Sequence, residues 1–579
     1  MMVPMYIETV PNRGSPPALL LRDARREGRK IIKRTLANLS HWPAAQIESF
    51  RALLRGEHLV PAKDLVRIER SLPHGHVEAI LEAIRKLGLD TLIASKRSRE
   101  RDLVLAMIVE RLIHPRSKLA SARHWNDTTL ADALSVGGAD VDELYAALDW
   151  LRGRQERIEK KLATRHLSEH GLVFYDVSSS FYTGRACPLA RYGHDRDGKK
   201  GLPIIVYGLM TDARGCPVAV QVYSGNTGDP TTVPDQAEKI RARFGLAHAV
   251  LVGDRGMLTQ TQIDELKAHP GLGWISALRS PAIRALVDQG HLQFSLFDQQ
   301  NLAEIRSPDF PGERLMACFN PLLAEQRKRK RDELLAATQK ELERIAASVA
   351  RRQAKPLDAE QIGEKVGRVI NRYKMAKHFE WTIQAGVLAW SRREESIRRE
   401  AELDGIYVVR TSEPAERLTA ADAVRGYKGL AQVERAFRCF KGLDLRVRPI
   451  FHRTEDHVRA HILLCMLAYY VEWHLRRTWA ELLFEDEELP ATRSMRDPVA
   501  PAKASASAER KKFDRQTSQG LPAHSFETLL VHLATRTRNT CQLQSEPSAA
   551  TFDQVTNATP VQTRAMELLA VLPVPGNAG

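Results

Sequence analysis

Cysteine is sparse and scattered. The six residues, at positions 187, 216, 318, 439, 465 and 541, never form a C-x-x-C pair. That excludes a zinc ribbon and a disulfide framework, and it fits a reducing cytoplasm. Long apolar runs are also missing. None approaches the ~18 residues a membrane-spanning helix needs, so no membrane partner is expected. Met1 to Asn12 carries no basic stretch followed by an apolar one, so no secretory signal is expected. Lys199-Lys200-Gly201 lacks the upstream glycine spacing of a P-loop, so no nucleotide cofactor is expected. His457 and His461 have the spacing of a zinc pair, but no Glu stands beside the first His, which favours a structural role. Ser178 to Ser180 have no neighbouring base for a covalent serine mechanism, and no short-period repeat is present.

Acid is the charge in deficit. Lys and Arg number 86 against 71 Asp and Glu, a net charge of +15. An excess of this size suits a polyanion partner, with nucleic acid the commonest. At 27% charged and 43% hydrophobic, the composition is that of globular protein. A chain of 579 residues exceeds one core, and about two to four domains are expected.

Residues 1–60 read as a small mixed module with strands at Met5–Val10 and Ala18–Arg22, followed by a basic stretch to Arg34 that suits DNA phosphates or a solvated surface. Residues 61–168 read as helical, with apolar positions three and four apart at 76–87, 100–113 and 141–167. This region is assigned to DNA binding or dimerisation. From 169 to 280 the pattern changes to short β-rich runs, 172–177, 203–210, 218–223, 249–252 and 274–278, with helices at 232–244 and 259–268. That order matches an α/β, ribonuclease-H-like mixed sheet with helices on its faces. Residues 281–404 read as a largely helical insertion, and the run 327–331 suits DNA or a solvated helix face. The core resumes over 405–480 with a strand at 405–410, a helix at 420–441 and an apolar helix at 458–475. Residues 481–579 read as a linker, flexible over 490–522, and a terminal segment.

Three carboxylates stand out. Asp176 closes the run Leu172–Tyr175, and Asp254 closes Ala249–Gly253. Each alone is most simply a turn residue or helix cap. The serines after Asp176 are small enough to let a metal and a phosphate approach the backbone. Tyr427, Glu434 and Lys441 lie seven apart and so share one face of a helix, together with Leu430 and Phe437. A Glu in such an inward-facing stripe needs a partner: a metal, or a buried ion pair with Arg410 or Arg448. Three carboxylates can gather two divalent ions, with Mg2+ the default and Mn2+ suited to the same oxygens.

These residues resemble the DDE-class bacterial insertion-sequence transposases, in the group around insertion sequence four. The signature there is Tyr, two residues, Arg, three residues, Glu, six residues, Lys. This chain has Tyr427, Glu434 and Lys441 in register and Leu430 where Arg stands. Phe174-Tyr175-Asp176, Gly225-Asn226 with Asp229, and Val252-Gly253-Asp254-Arg255 resemble the neighbouring motifs. Asp254 follows Asp176 by 78 residues and Glu434 follows Asp254 by 180, which leaves room for an insertion. The resemblance implies that Asp176, Asp254 and Glu434 are catalytic metal ligands. It also implies phosphate contacts by Tyr427 and Lys441, with Arg255 beside them and Lys428 or Arg438 in place of the missing Arg. It further implies cleavage and strand transfer at an element's ends by a homodimer in the bacterial cytoplasm. Trp381 and Trp390 are candidates for stacking on a flipped base or for simple core packing. The competing readings are a DNA-binding relative without catalysis and a metal-dependent nuclease that does not join ends.

Overall fold

A computed structural model describes residues 5–57, 66–352, 356–442, 444–492, 495–543 and 550–573. The chain divides into two compact units. One takes in residues up to Pro73 together with Arg536–Asn557, and the other His74–Thr535 with the residues from Ala558 onward.

The smaller unit is built from two antiparallel sheets. Tyr6–Val10, Ala18–Glu27 and Lys30–Asn38 form one. Its basic stretch is therefore a hairpin, turned at Gly28, whose φ of 63° suits glycine. Glu8 receives Arg22 at 2.7 Å and Lys33 at 2.8 Å. Most other cations of the last strand stay exposed. In the second sheet Val66–Pro73 pairs with Thr537–Leu543, which pairs with Phe552–Val555. The region read as mostly helical from residue 61 thus includes a strand, Val66–Pro73.

The larger unit opens on helices. α1 (Arg99–Ile113) is capped by Ser98 and buried over nearly its whole length. The helix expected at 141–167 is two, α2 (Val141–Arg152) and α3 (Gln155–His166), because Gly153 ends the first. Five strands follow: β1 (Leu172–Phe181), β2 (Ile204–Asp212), β3 (Pro217–Ser224), β4 (Ala249–Val252) and β5 (Leu272–Ala277). Their order in the sheet is β3-β2-β1-β4-β5. β2 is antiparallel to both neighbours, whereas β1, β4 and β5 run parallel. This is the ribonuclease-H-like arrangement. Alternate residues of β1 serve two cores. Val173, Tyr175 and Val177 pack under the helices at 233–238 and 260–267, and Phe174 joins the cluster on the other face.

The insertion does more than interrupt the core. β6 (Leu302–Ile305) and β7 (Arg314–Phe319) pair with each other, and β7 pairs with β8 (Ile406–Thr411), which pairs with β5. The sheet thereby grows to eight strands. Between β7 and β8 lies one long helix, α4 (Pro321–Ala350), which carries the run 327–331. Its Leu335, Leu342 and Val349 face Ile362, Val366 and Ile370 of α5 (Ala359–Tyr373). A hairpin, Phe379–Gln384 with Val387–Arg392, completes this part.

After β8 come α6 (Ala420–Lys428), α7 (Ala431–Lys441) and α8 (Glu455–Thr478). The stretch read as a flexible linker is built into the unit. Val499 is buried, and Lys511 in the helix Ala506–Phe513 donates to Ala480 O at 2.8 Å. No described helix is long and apolar enough to cross a membrane.

Arg410 on β8 forks onto Glu313 at 2.7 and 2.6 Å, with side-chain exposures of 7% and 2%. Removing one partner strands a buried charge, and such losses cost about 3–5 kcal/mol. Glu313→Ala should therefore lower the melting temperature sharply. A Glu313→Leu, Arg410→Met double variant should recover most of that loss in the same thermal melt.

Candidate active site

The register of β1 and β4 sets two of the acids side by side. Phe174 pairs with Val252 across these parallel strands. Asp176 and Asp254 each lie two residues further on, at the same level and with the same side-chain parity. Asp176 does not end its strand, as expected, but sits within it, because β1 runs on to Phe181. The serines that follow are buried: Ser180 Oγ meets Tyr207 OH at 2.9 Å and Ser179 Oγ meets His194 O at 3.3 Å. They do not line an approach for phosphate. Asp254 stands just past β4, where its Oδ1 accepts the N–H groups of Gly256 at 3.0 Å and Met257 at 2.7 Å.

The third acid arrives on α7. The continuous helix expected at 420–441 is broken at Gly429-Leu430, where Gln432 N–H bonds Gly429 O at 2.9 Å and Val433 N–H bonds Leu430 O at 2.9 Å, three residues back. The reason lies beneath the joint. A Cβ on Gly429 would lie 2.4 Å from the Phe174 ring, so only glycine lets the chain cross β1 this closely. Leu430 and Phe437 are buried, but Glu434 is exposed. Its carboxylate has no ion pair or hydrogen bond among the described residues, and the partners considered for it are engaged elsewhere: Arg410 with Glu313, Arg448 with Asp197. Desolvation falls on Asp176 instead.

The electrostatics tie the group together. Burial pushes the Asp176 carboxyl up to about 7; the charges of Asp254 and Glu434 push the same way, while the Val177 N–H and Arg196 oppose them. Burial also raises the Tyr427 hydroxyl to about 12, with Asp254 and Glu434 adding to the rise and Arg255 reducing it. Arg196 is itself committed to Asp229. The three carboxylates therefore form an acidic group without a cation of its own. Their hard oxygens suit Mg2+ or Mn2+. They are spread more widely than the two tightest metal-ligating groups among the described residues, His166-Cys216-His474 and Cys439-Asp444-Glu472, whose donor atoms lie within 4.8 Å.

The cations expected beside them divide. Lys441 Nζ is 3.1 Å from Asp197, which also takes Arg448 and the Phe181 N–H. Burial lowers the Lys441 pKa, against the pull of Asp197. Lys428 Nζ donates to Val499 O at 2.6 Å. Arg255 and Arg438 are exposed and form no ion pair among the described residues. Within the basic run, Arg331 is bound to Asp404 and Arg327 to the Leu403 and Ile406 carbonyls, which leaves 328–330 exposed. Arg196 and Asp197 were read only as part of a turn. The alternation of charge in Asp195-Arg196-Asp197 was the signal for more. His457 pairs with Asp149 at 3.1 Å and His461 meets Val447 O at 3.1 Å, so the two histidines serve different partners. Trp381 and Trp390 are cross-strand neighbours; Trp390 packs on Phe379, and Trp381 is 37% exposed.

The free and engaged cations should differ in solution. Arg255→Gln and Arg438→Gln should each reduce the salt slope of DNA binding by about one, and Lys441→Gln by much less. Fluorescence anisotropy across a salt series measures this; equal changes in all three would contradict it.

A family model described as the transposase DDE domain matches residues 178–471, about half of the chain. The chain belongs to the DDE-domain transposase family. The matched stretch includes Asp254, Tyr427, Glu434 and Lys441 and begins two residues after Asp176. Among solved structures, the cryo-EM structure of a piggyBac transposase synaptic complex with hairpin DNA overlaps 87% of this chain and 84% of its own, at 9% identity and a TM-score of 0.33. No curated protein matches this transposase-family chain in sequence.

Proposed function

We propose that this transposase cuts the ends of an insertion sequence and joins them to target DNA, with Asp176, Asp254 and Glu434 as ligands for two divalent ions, Mg2+ by default. The observation that carries the reading is a group of three carboxylates without a cation of its own, in which burial, joined by the charges of Asp254 and Glu434, raises the Asp176 carboxyl to about 7. Bound ions would turn a water, and then a 3′-hydroxyl, into a nucleophile and offset charge on the phosphorane-like transition state. The chain's own part is positioning. β1 and the turn after β4 hold two carboxylates at one level, and the Gly429 joint brings the third across the sheet. Arg255, Arg438 and Tyr427 would hold DNA phosphates, and Asp197 fixes Lys441 beside them.

Kinship with the group of insertion sequence four rests on the spacing of Tyr427, Glu434 and Lys441. Action as a homodimer follows from the need to bring two element ends together. A bacterial cytoplasmic setting agrees with the buried, unpaired cysteines. The smaller unit, the helical region to 168 and the insertion at 281–404 would supply further DNA and dimer contacts. Leu430, buried where the signature has Arg, is the one feature favouring a DNA-binding relative without catalysis.

The test is nicking of DNA that carries the element's ends, in Mg2+ against EDTA. Metal-dependent nicks leaving 3′-hydroxyls support the reading. Binding without nicks would give the relative without catalysis.

A further inference from the structure

The start of α7 also borders a cleft of about 650 Å³. Five cations line it, Arg214, Arg425, Lys428, Arg477 and Arg496, against one carboxylate, Asp497. That carboxylate is already occupied by the Val499 N–H at 2.7 Å and the Ala500 N–H at 3.2 Å. Arg214 has Asp212 at 2.7 Å, and Arg425 has Asp422 at 2.9 Å. Arg477 forms no ion pair among the described residues, although the charges of Asp212 and Glu485 act on it. Its guanidinium lies 4.3 Å from the Trp473 ring, and that of Arg214 lies 5.5 Å from the same ring. Burial lowers the Arg477 pKa, and the charge of Arg214 lowers it further. The Nη1 of Arg496 is buried without a hydrogen-bond partner among the described residues. Positive charge gathered this way is costly unless an anion joins it.

The rest of the cleft says which anion. Guanidinium forks match phosphate oxygens. α7 begins in the wall at Ala431 and Gln432. Leu489, Pro498 and Pro501 supply an apolar wall. The volume lies within the range of small-ligand sites.

We propose that this cleft binds a nucleotide, with its phosphate on Arg477, Arg214 and Arg496 and its base or sugar against the Leu489–Pro501 wall. The nucleotide belongs to a DNA strand or is free in solution; the first source rests on the proposed function. An occupied cleft would hold the start of α7, three residues before Glu434.

The test uses the full chain, anisotropy of a labelled single-stranded DNA of about eight nucleotides carrying a 5′-phosphate, and competition by adenosine monophosphate. Arg477→Gln and Arg496→Gln should each weaken oligonucleotide binding about tenfold, the loss of one charge-assisted contact. Lys267→Gln, which removes an exposed pair with Asp264, should change it less than about twofold. Competition by the monophosphate in wild type, lost in Arg477→Gln, would identify a free nucleotide as a ligand. An oligonucleotide effect without such competition would identify the DNA strand. Wild-type binding in both cleft variants, or equal losses in Lys267→Gln, would overturn the proposal. Neither probe requires cutting, so a chain that fails to transpose still reports on the cleft. Unchanged melting temperatures would show that the variants fold.

Discussion

Asp176→Asn should lower DNA cleavage by at least about 10³-fold while leaving the protein as stable as wild type at pH 8, or more so. A metal-bound carboxylate contributes several kcal/mol to the transition state, and each 1.4 kcal/mol is about tenfold in rate. Stability should move the other way. Asp176 is pressed between burial and the charges of Asp254 and Glu434, and in the metal-free protein its ionised form is unfavourable. Asparagine keeps the shape and an oxygen for the Val177 N–H, which now lies 2.7 Å from Asp176 Oδ1. DNA binding should not weaken, because a negative charge has gone from a surface that meets phosphate. Cleavage at the wild-type rate would remove Asp176 from the site. A melting temperature several degrees lower would show that its carboxylate is structural.

In the metal-free protein the Asp176 carboxyl should cost stability as pH rises from about 4 to about 7, read as the difference between wild type and Asp176→Asn, and divalent ions should offset that cost. The folded carboxyl titrates near 7 against an ordinary value of 3.8. Between those values the folded state holds the proton more tightly than the unfolded chain does. The unfolding free energy from this group therefore falls with rising pH and levels off above 7. At about 1.4 kcal/mol per unit, the whole effect is a few kcal/mol at most. Ion binding favours the ionised form, so Mg2+ or Mn2+ should raise the melting temperature strongly at pH 8 and weakly at pH 5.5. At 100 times its dissociation constant an ion contributes about 2.7 kcal/mol. Asp176→Asn should remove this group's share of the pH response and abolish most of the metal response. Equal stabilisation by metal in wild type and variant would place the ions elsewhere, with Cys439, Asp444 and Glu472 as the next group to test.

The sequence made the acids legible because each follows a local pattern: two apolar runs ending in Asp, and a spaced Tyr, Glu and Lys. The five-strand order was legible for the same reason, since β1 to β5 are apolar runs between turn signals. Contacts between distant segments were not. The break at Gly429 exists because Phe174, more than 250 residues earlier, lies beneath it. Glu434 was assigned an inward face from helical spacing, and that break helps to turn it outward. Asp197 looked like a turn residue until Lys441 and Arg448 were seen to converge on it. β6 and β7 are short and flanked by charge, so only their pairing with β8 makes them strands. Composition marked 490–522 as a linker, and it could not show that Lys511 reaches the carbonyls of Ala480 and Glu485.

Strand transfer tests the central claim most directly. Wild type and Glu434→Gln would be incubated with the element's own end DNA, Mg2+ and a target plasmid, and joined products would be counted. Glu434 is exposed and unpaired, so the variant should fold and bind as wild type does. The expected result is cut and joined products from wild type alone. Equal joining by both proteins, or binding by both with neither cutting nor joining, would contradict the role given to the three carboxylates.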